Sequence, residues 1–96
     1  KLAKDREAYN IDATARFDKA DAKAKEAKVK GAKLTGKKGA DFKAAWAKYT
    51  TYHDDADGRI KRLRSAGDDS WTSDKDSTES VLSNMEKAAS DVASIP

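Results

Sequence analysis

Residues 42–63, FKAAWAKYTTYHDDADGRIKRL, decide the fold of this chain. Phe42, Tyr49, Ala56 and Leu63 stand seven apart, with Trp46, His53 and Ile60 between them at the complementary spacing. Side chains repeating every three and four positions share one face of an α-helix, and a repeat kept up over three heptads makes a seam for packing against other helices. Strand reading fails, because alternate residues here do not alternate in polarity and β-branched residues are few. The single proline is Pro96, so positions 1–95 carry no obligatory helix breaker.

The same period recurs on both sides. Upstream, Ala13, Ala20, Ala27 and Leu34 lie seven apart with Phe17, Ala24 and Gly31 between them, and Leu2 and Tyr9 extend the stripe backwards. Downstream, Trp71, Thr78, Met85 and Val92 repeat it, flanked by Val81, Leu82, Ala88, Ala89 and Ile95. Two glycine-bearing stretches separate the segments. In Thr35-Gly36-Lys37-Lys38-Gly39 the glycines let one helix end and Asp41 starts the next. In Gly67-Asp68-Asp69-Ser70 a C-cap glycine precedes polar N-cap candidates, with Ser73 as a second possible start. The spacing predicts helices at about 2–35, 41–66 and 70–95 in a single domain, 1–96. The fold class is all-α: an antiparallel, up-down-up three-helix bundle with coiled-coil-like heptad packing.

Folding the predicted helices back across their turns sets Leu34 near Phe42, Gly31 near Trp46, Ala27 near Tyr49 and Phe17 near Ile60. The second turn sets Trp46 near Val92, Tyr49 near Ala89, His53 near Met85 and Ala56 near Leu82. Large residues then meet small ones, as a filled core requires. The expected seam is Phe17, Leu34, Phe42, Trp46, Tyr49, Ile60, Leu63, Leu82, Met85 and Val92.

Composition agrees. Charged residues make up 39% of the chain, yet the net charge is only +3, and apolar residues recur with a period. Disordered chains pair low apolar content with a large net charge, so a solvated helical bundle fits better. Without cysteine there is neither a disulfide framework nor a thiolate metal site. No apolar run approaches the roughly 20 residues of a membrane span. The chain begins at Lys1 rather than Met, for which a cleaved signal peptide is one explanation.

Chemistry-bearing residues are sparse. His53-Asp54-Asp55-Ala56-Asp57-Gly58-Arg59-Ile60 imitates part of a calcium loop, but His53 stands at its first position and Arg64 at its twelfth, where a bidentate glutamate is needed. The run also lies inside the heptad pattern, so it reads as a solvated helix face. His53 is the only histidine and reads as a partly buried seam residue; no serine is spaced to be its nucleophile, and no second histidine completes a metal pair. The expectation is therefore no enzyme, no catalytic or metal-binding residues and no cofactor. Trp46, Tyr49 and Tyr52 among Lys43 and Lys48 have the composition of a base-stacking surface, but the seam claims Trp46 and Tyr49.

Charge layout is the least ordinary feature. Residues 19–48 hold ten lysines against Asp21, Glu26 and Asp41, a net of +7, while residues 67–96 hold two lysines against seven acids, a net of −5. The third helix is expected to neutralise part of the lysine hairpin. Lys30, Lys33, Lys37 and Lys38 would project at its tip as candidate anion-binding residues, with no arginine among them to read bases or phosphates bidentately.

Residues 56–75 resemble a pattern seen in small exported bacterial Ala/Lys-rich helical proteins of unknown function, carried here by Arg59, Ile60, Leu63, Ala66, Gly67, Trp71 and Lys75. Such proteins also place long Ala/Lys/Asp-rich helices before this stretch, as here; the Ser/Thr/Asp-rich segment after Trp71 departs from the pattern. The resemblance implies an exported, periplasmic helical bundle without an activity to carry over. Two functions follow as expectations. The first is a non-enzymatic structural or interaction domain of the bacterial cell envelope, with an unknown protein partner or self-association. The second is an electrostatic binder of nucleic acid or anionic lipid through the lysine hairpin.

Overall fold

The heptad stretch is helical from end to end. The computed structural model describes residues 2–96, with side chains from Lys4 onward. It consists of α1 (Leu2–Gly31), α2 (Gly36–Arg64) and α3 (Trp71–Ser94), with no strand among the described residues. The three helices form a bundle 53 Å long and 17 by 15 Å across. None of them is long and apolar enough to cross a membrane.

The core sits on the predicted seams. α2 buries Phe42, Tyr49, Ala56, Ile60 and Leu63, and α3 buries Trp71, Thr78, Leu82, Met85, Ala88, Ala89 and Val92. Among the described side chains, the buried hydrophobic residues of α1 are all alanines, Ala13, Ala20, Ala24 and Ala27. Each fully buried Leu or Met favours folding by about 1.5–3 kcal/mol, so α2 and α3 supply most of the hydrophobic driving force. Alanine's service is different: it lets α1 approach closely, and costs little side-chain entropy. Thr78, the buried polar exception, satisfies its hydroxyl on the Asp74 carbonyl at 2.7 Å. Phe17, Leu34 and Trp46, expected in the seam, are only half-buried.

Contacts give the course of the chain. Along α1, Thr14 meets Arg64, Phe17 meets His53, Asp21 meets Tyr49, Lys28 meets Trp46 and Gly31 meets Phe42, so partner numbers on α2 fall. Toward α3 they rise: Arg6 meets Asp68 in the turn before it, Arg16 spans Glu79 and Glu86, and Lys23 meets Ser90.

The first turn corrects the sequence reading. α1 ends at Gly31 rather than near residue 35, and α2 begins at Gly36 rather than Asp41, so Gly36–Gly39 belong to the helix and Ala32–Thr35 make the turn. Gly36 takes φ of +64°, a left-handed conformation open to glycine, which swings the chain into α2 straight after the extended Thr35. Gly39 is required by a close passage: a Cβ there would lie 2.9 Å from the Leu34 carbonyl oxygen. The glycines thus shape the entry of α2 and not the exit of α1.

Shortening the turn slides the first hairpin by one helical turn or more. Gly31 faces Phe42 instead of Trp46, and Phe17 faces His53 at 5.0 Å between ring centres instead of Ile60. Tyr49 reaches Asp21 rather than Ala27. The second hairpin stays near its expected register: Lys48 and Tyr52 share one surface depression with Ala88 and Asp91. Its turn needs no side-chain cap, because Ser70 Oγ points back to the Gly67 carbonyl and Trp71 N–H closes on the same oxygen at 3.0 Å. Arg6 ties this turn to α1, donating to Asp68 at 3.0 Å and to the Ala66 carbonyl.

Candidate functional site

The end of the bundle at the first turn combines charge with exposed apolar surface. Lys23 of α1 is level with Ser90 of α3, which puts the end of α3 at Ser94 about one turn short of Gly31. The α1–α2 hairpin therefore projects past α3. A notch of about 280 Å³ opens there, lined by Gly31, Leu34, Phe42 and Trp46 and flanked by Lys28 and Lys43. The Phe42 ring occupies the space a Cβ on Gly31 would need, which builds the floor. Phe42 and Trp46 stack at 6.3 Å with 14° between ring planes, and Lys28 Nζ lies 4.7 Å from the Trp46 ring centre. A cation over an indole face is held by the ring quadrupole while its remaining donors stay in water.

None of the four predicted lysines lines this notch, although Lys30, Lys33 and Lys38 adjoin in sequence residues that do. Lys30 ends α1, Lys33 lies in the turn, and Lys37 and Lys38 fall in the first turn of α2 rather than in a loop; all are exposed. Lys37 pairs with Asp41 at 3.1 Å, whereas among the described residues Lys30, Lys33 and Lys38 have no carboxylate at salt-bridge distance. Two positive side chains at the start of α2 oppose its macrodipole, and α2 has no acid in its first turn. That local cost concentrates positive potential on the tip. The sequence reading set Lys43 beside Trp46 but left both Lys43 and Lys28 out of the candidate site, because it gave Trp46 to the core.

Acids of α3 go elsewhere than expected. Arg16 of α1 donates to Glu79 at 2.7 and 3.0 Å and to Glu86 at 2.7 and 3.2 Å, and Tyr9 O–H donates to Glu79 at 3.0 Å. The hydrogen bonds from Arg16, helped by that of Tyr9 and opposed by burial, hold the Glu79 carboxyl below the usual glutamate range. Glu86 and Glu79 in turn keep Arg16 firmly protonated. Glu79 and Glu86 are thus engaged by Arg16 in the middle of α1, away from the lysine tip.

His53 sits beside the third polar cluster. Its Nδ1 donates to Asp54 at 3.0 Å, and its Nε2 lies 3.6 Å from Asp21. Asp21 also accepts from Tyr49 at 2.8 Å and pairs with Lys25 at 2.9 Å. Burial opposes ionisation of Asp21, but the Lys25 and Tyr49 hydrogen bonds outweigh it and lower its pKa, while burial and the Asp21 bond raise that of Tyr49. Tyr49 and His53 reach from α2 to Asp21 of α1, while the Lys25 and Asp54 contacts stay within one helix. The aspartate run that imitates a calcium loop is continuous helix, with Asp55 beside Arg59 at 3.8 Å and Asp57 beside Lys61 at 2.9 Å. Among the described residues no group of three His, Asp or Glu is placed to hold a metal ion.

Comparison with known proteins finds no matching family model, no matching curated protein and no matching solved structure.

Proposed function

We propose that this chain is an up-down-up bundle with coiled-coil-like packing, serving as a non-enzymatic interaction domain exported to the bacterial envelope, and that its working end is the lysine tip. The tip seats on an anionic lipid surface: lysines take headgroup charge while the notch and Trp46 take apolar chain. One observation carries this reading, the coincidence at one end of the bundle of unneutralised lysines with a half-exposed indole beside an apolar notch. Tryptophan is favoured at lipid interfaces, and each lysine near an anionic surface contributes about 1 kcal/mol. Nucleic acid is the weaker fit, since the tip lacks arginine and Trp46 already stacks on Phe42. Export rests on the resemblance carried by Arg59, Leu63, Trp71 and Lys75.

The test is co-sedimentation with phosphatidylglycerol-containing and purely phosphatidylcholine vesicles at roughly 50 and 200 mM salt. A Trp71→Phe background makes Trp46 the sole indole reporter. Binding is expected only with the anionic vesicles, with a blue shift of Trp46 emission. Changing Lys30, Lys33, Lys37 and Lys38 together to Gln should weaken it about 100- to 1,000-fold at low salt. Equal binding by the quadruple variant, or preference for a mixed-sequence duplex over vesicles, overturns the reading.

A further inference from the structure

Two large apolar side chains stand in solvent, Ile11 at 64% and Val29 at 67% exposure. Both belong to α1, and the step of 18 positions from one to the other is five full turns at about 3.6 residues per turn, so they lie on one line. Ala20, in the core, is nine residues from each, two and a half turns, and therefore faces the other way. The line is diametrically opposite the bundle core.

A second heptad seam runs along that outer face. Ala8, Ala15, Ala22 and Val29 stand seven apart, and Ile11, Asp18 and Lys25 follow the first three at the complementary position; all are exposed. α1 thus carries two seams on opposite faces, one packed and one open. We propose that the open seam pairs with the same seam of a second copy of this chain, α1 against α1 in antiparallel orientation about a twofold axis level with Ala20. This uses a different face from the lysine tip and needs no lipid.

The charge pattern names both the occupant and the orientation. Antiparallel pairing about Ala20 sets each Ile11 against the Val29 of the second copy, so the two exposed anchors cover one another at both ends, about 27 Å apart. Asp18 meets the Ala22 of the second copy and comes within one layer of its Lys25, giving two symmetric opposite-charge contacts. Parallel pairing would stack Asp18 on Asp18 and Lys25 on Lys25, like charges at seam positions. The face is therefore complementary to itself in one direction only, as an isologous interface requires. The alanines between the anchors let the two helix axes come within about 8 Å. With two large pairs and small residues between them, association falls in the transient class.

Sedimentation equilibrium of the whole chain, without lipid, tests the assembly, and the absence of cysteine makes its geometry readable. The mass is expected to rise from one chain to two over roughly 10–500 μM. Ile11→Asp with Val29→Asp should hold it at one chain while the circular dichroism melt stays within about 3 °C, because both positions are outside the core. Single Ile11→Cys and Val29→Cys proteins, mixed and oxidised, should cross-link to each other, and neither should cross-link to itself. A wild type that stays monomeric, an Asp variant that still dimerises, or Ile11→Cys cross-linking to itself overturns the proposal.

Discussion

Arg16→Met isolates what holds α1 in place. The change keeps most of the aliphatic stem and removes only the guanidinium that grips Glu79 and Glu86. Its side chain is 26% exposed and those of the two glutamates 45% and 39%, so the pairs are neither buried nor fully solvated. Exposed ion pairs contribute about 0.2–1 kcal/mol each, and bidentate arginine geometry places both near the top of that range. The expected loss is about 2 kcal/mol, which in a domain of this size lowers Tm by about 8–15 °C. Melts followed by circular dichroism measure it. A double-mutant cycle with Glu79→Gln and with Glu86→Gln should return a coupling of about 1 kcal/mol for each pair.

The pH dependence follows from Glu79. Its folded pKa lies below the ordinary value, so its contribution is complete above the unfolded pKa near 4.3 and is lost as pH falls through the lower folded pKa. The gap between wild type and Arg16→Met should therefore be full at pH 7 and narrow below about pH 4. A variant melting within about 2 °C of wild type at pH 7, or a gap that persists unchanged to pH 3, refutes the argument that this cluster fixes α1.

Two further outcomes are expected. Leu82→Ala, at a site with no exposure, should cost about 2–5 kcal/mol, whereas Trp46→Ala should cost about 1–2.5 kcal/mol because its ring is half outside the core; equal costs in urea titrations would place Trp46 in the core and close the notch. Tyr49→Phe removes a hydrogen bond to ionised Asp21 and should cost about 1–2 kcal/mol at pH 7, with the difference shrinking as Asp21 is protonated below its lowered pKa; a difference that grows on acidification would contradict the assignment.

Much of the fold was legible because α2 and α3 carry large apolar residues at heptad spacing. Phe42, Tyr49, Ile60, Leu63, Leu82, Met85 and Val92 are all covered where the pattern placed them. What escaped was the first turn. Glycine near a helix end has two readings, a left-handed exit and a close approach, and a string of letters does not separate them. Here Gly36 opens α2 and Gly39 passes under the Leu34 carbonyl, so the five residues 36–40, assigned outside α2, lie inside it. That one shift moved the α1–α2 pairing by one to two turns while keeping the buried residues of α2 on their expected face, since displacements of three to four or of seven residues preserve helical phase.

The candidate site was half legible for a related reason. The tip lysines follow from counting charge along the chain, but Trp46 shares its heptad line with Phe42 and Tyr49, and periodicity says which face a residue takes, not whether a neighbouring helix reaches far enough to cover it. Only the level of the α3 terminus against α1 exposes Trp46 and brings Lys28 over it. Charge counts by segment also hid the division between cations. On α1, Arg16 grips two carboxylates of α3 and Arg6 one in the turn that leads into it, as their forks suit carboxylates, while lysines collect toward the first turn. This division bears on assembly as well. A helix whose core face is alanine gains little from burial, so polar straps must orient it, and straps confined to its flanks leave its outer face available. The exposed Ile11–Val29 line is thus the complement of the way α1 is held: the same helix joins its own bundle by arginine and presents Ile11 and Val29 on a surface outside it.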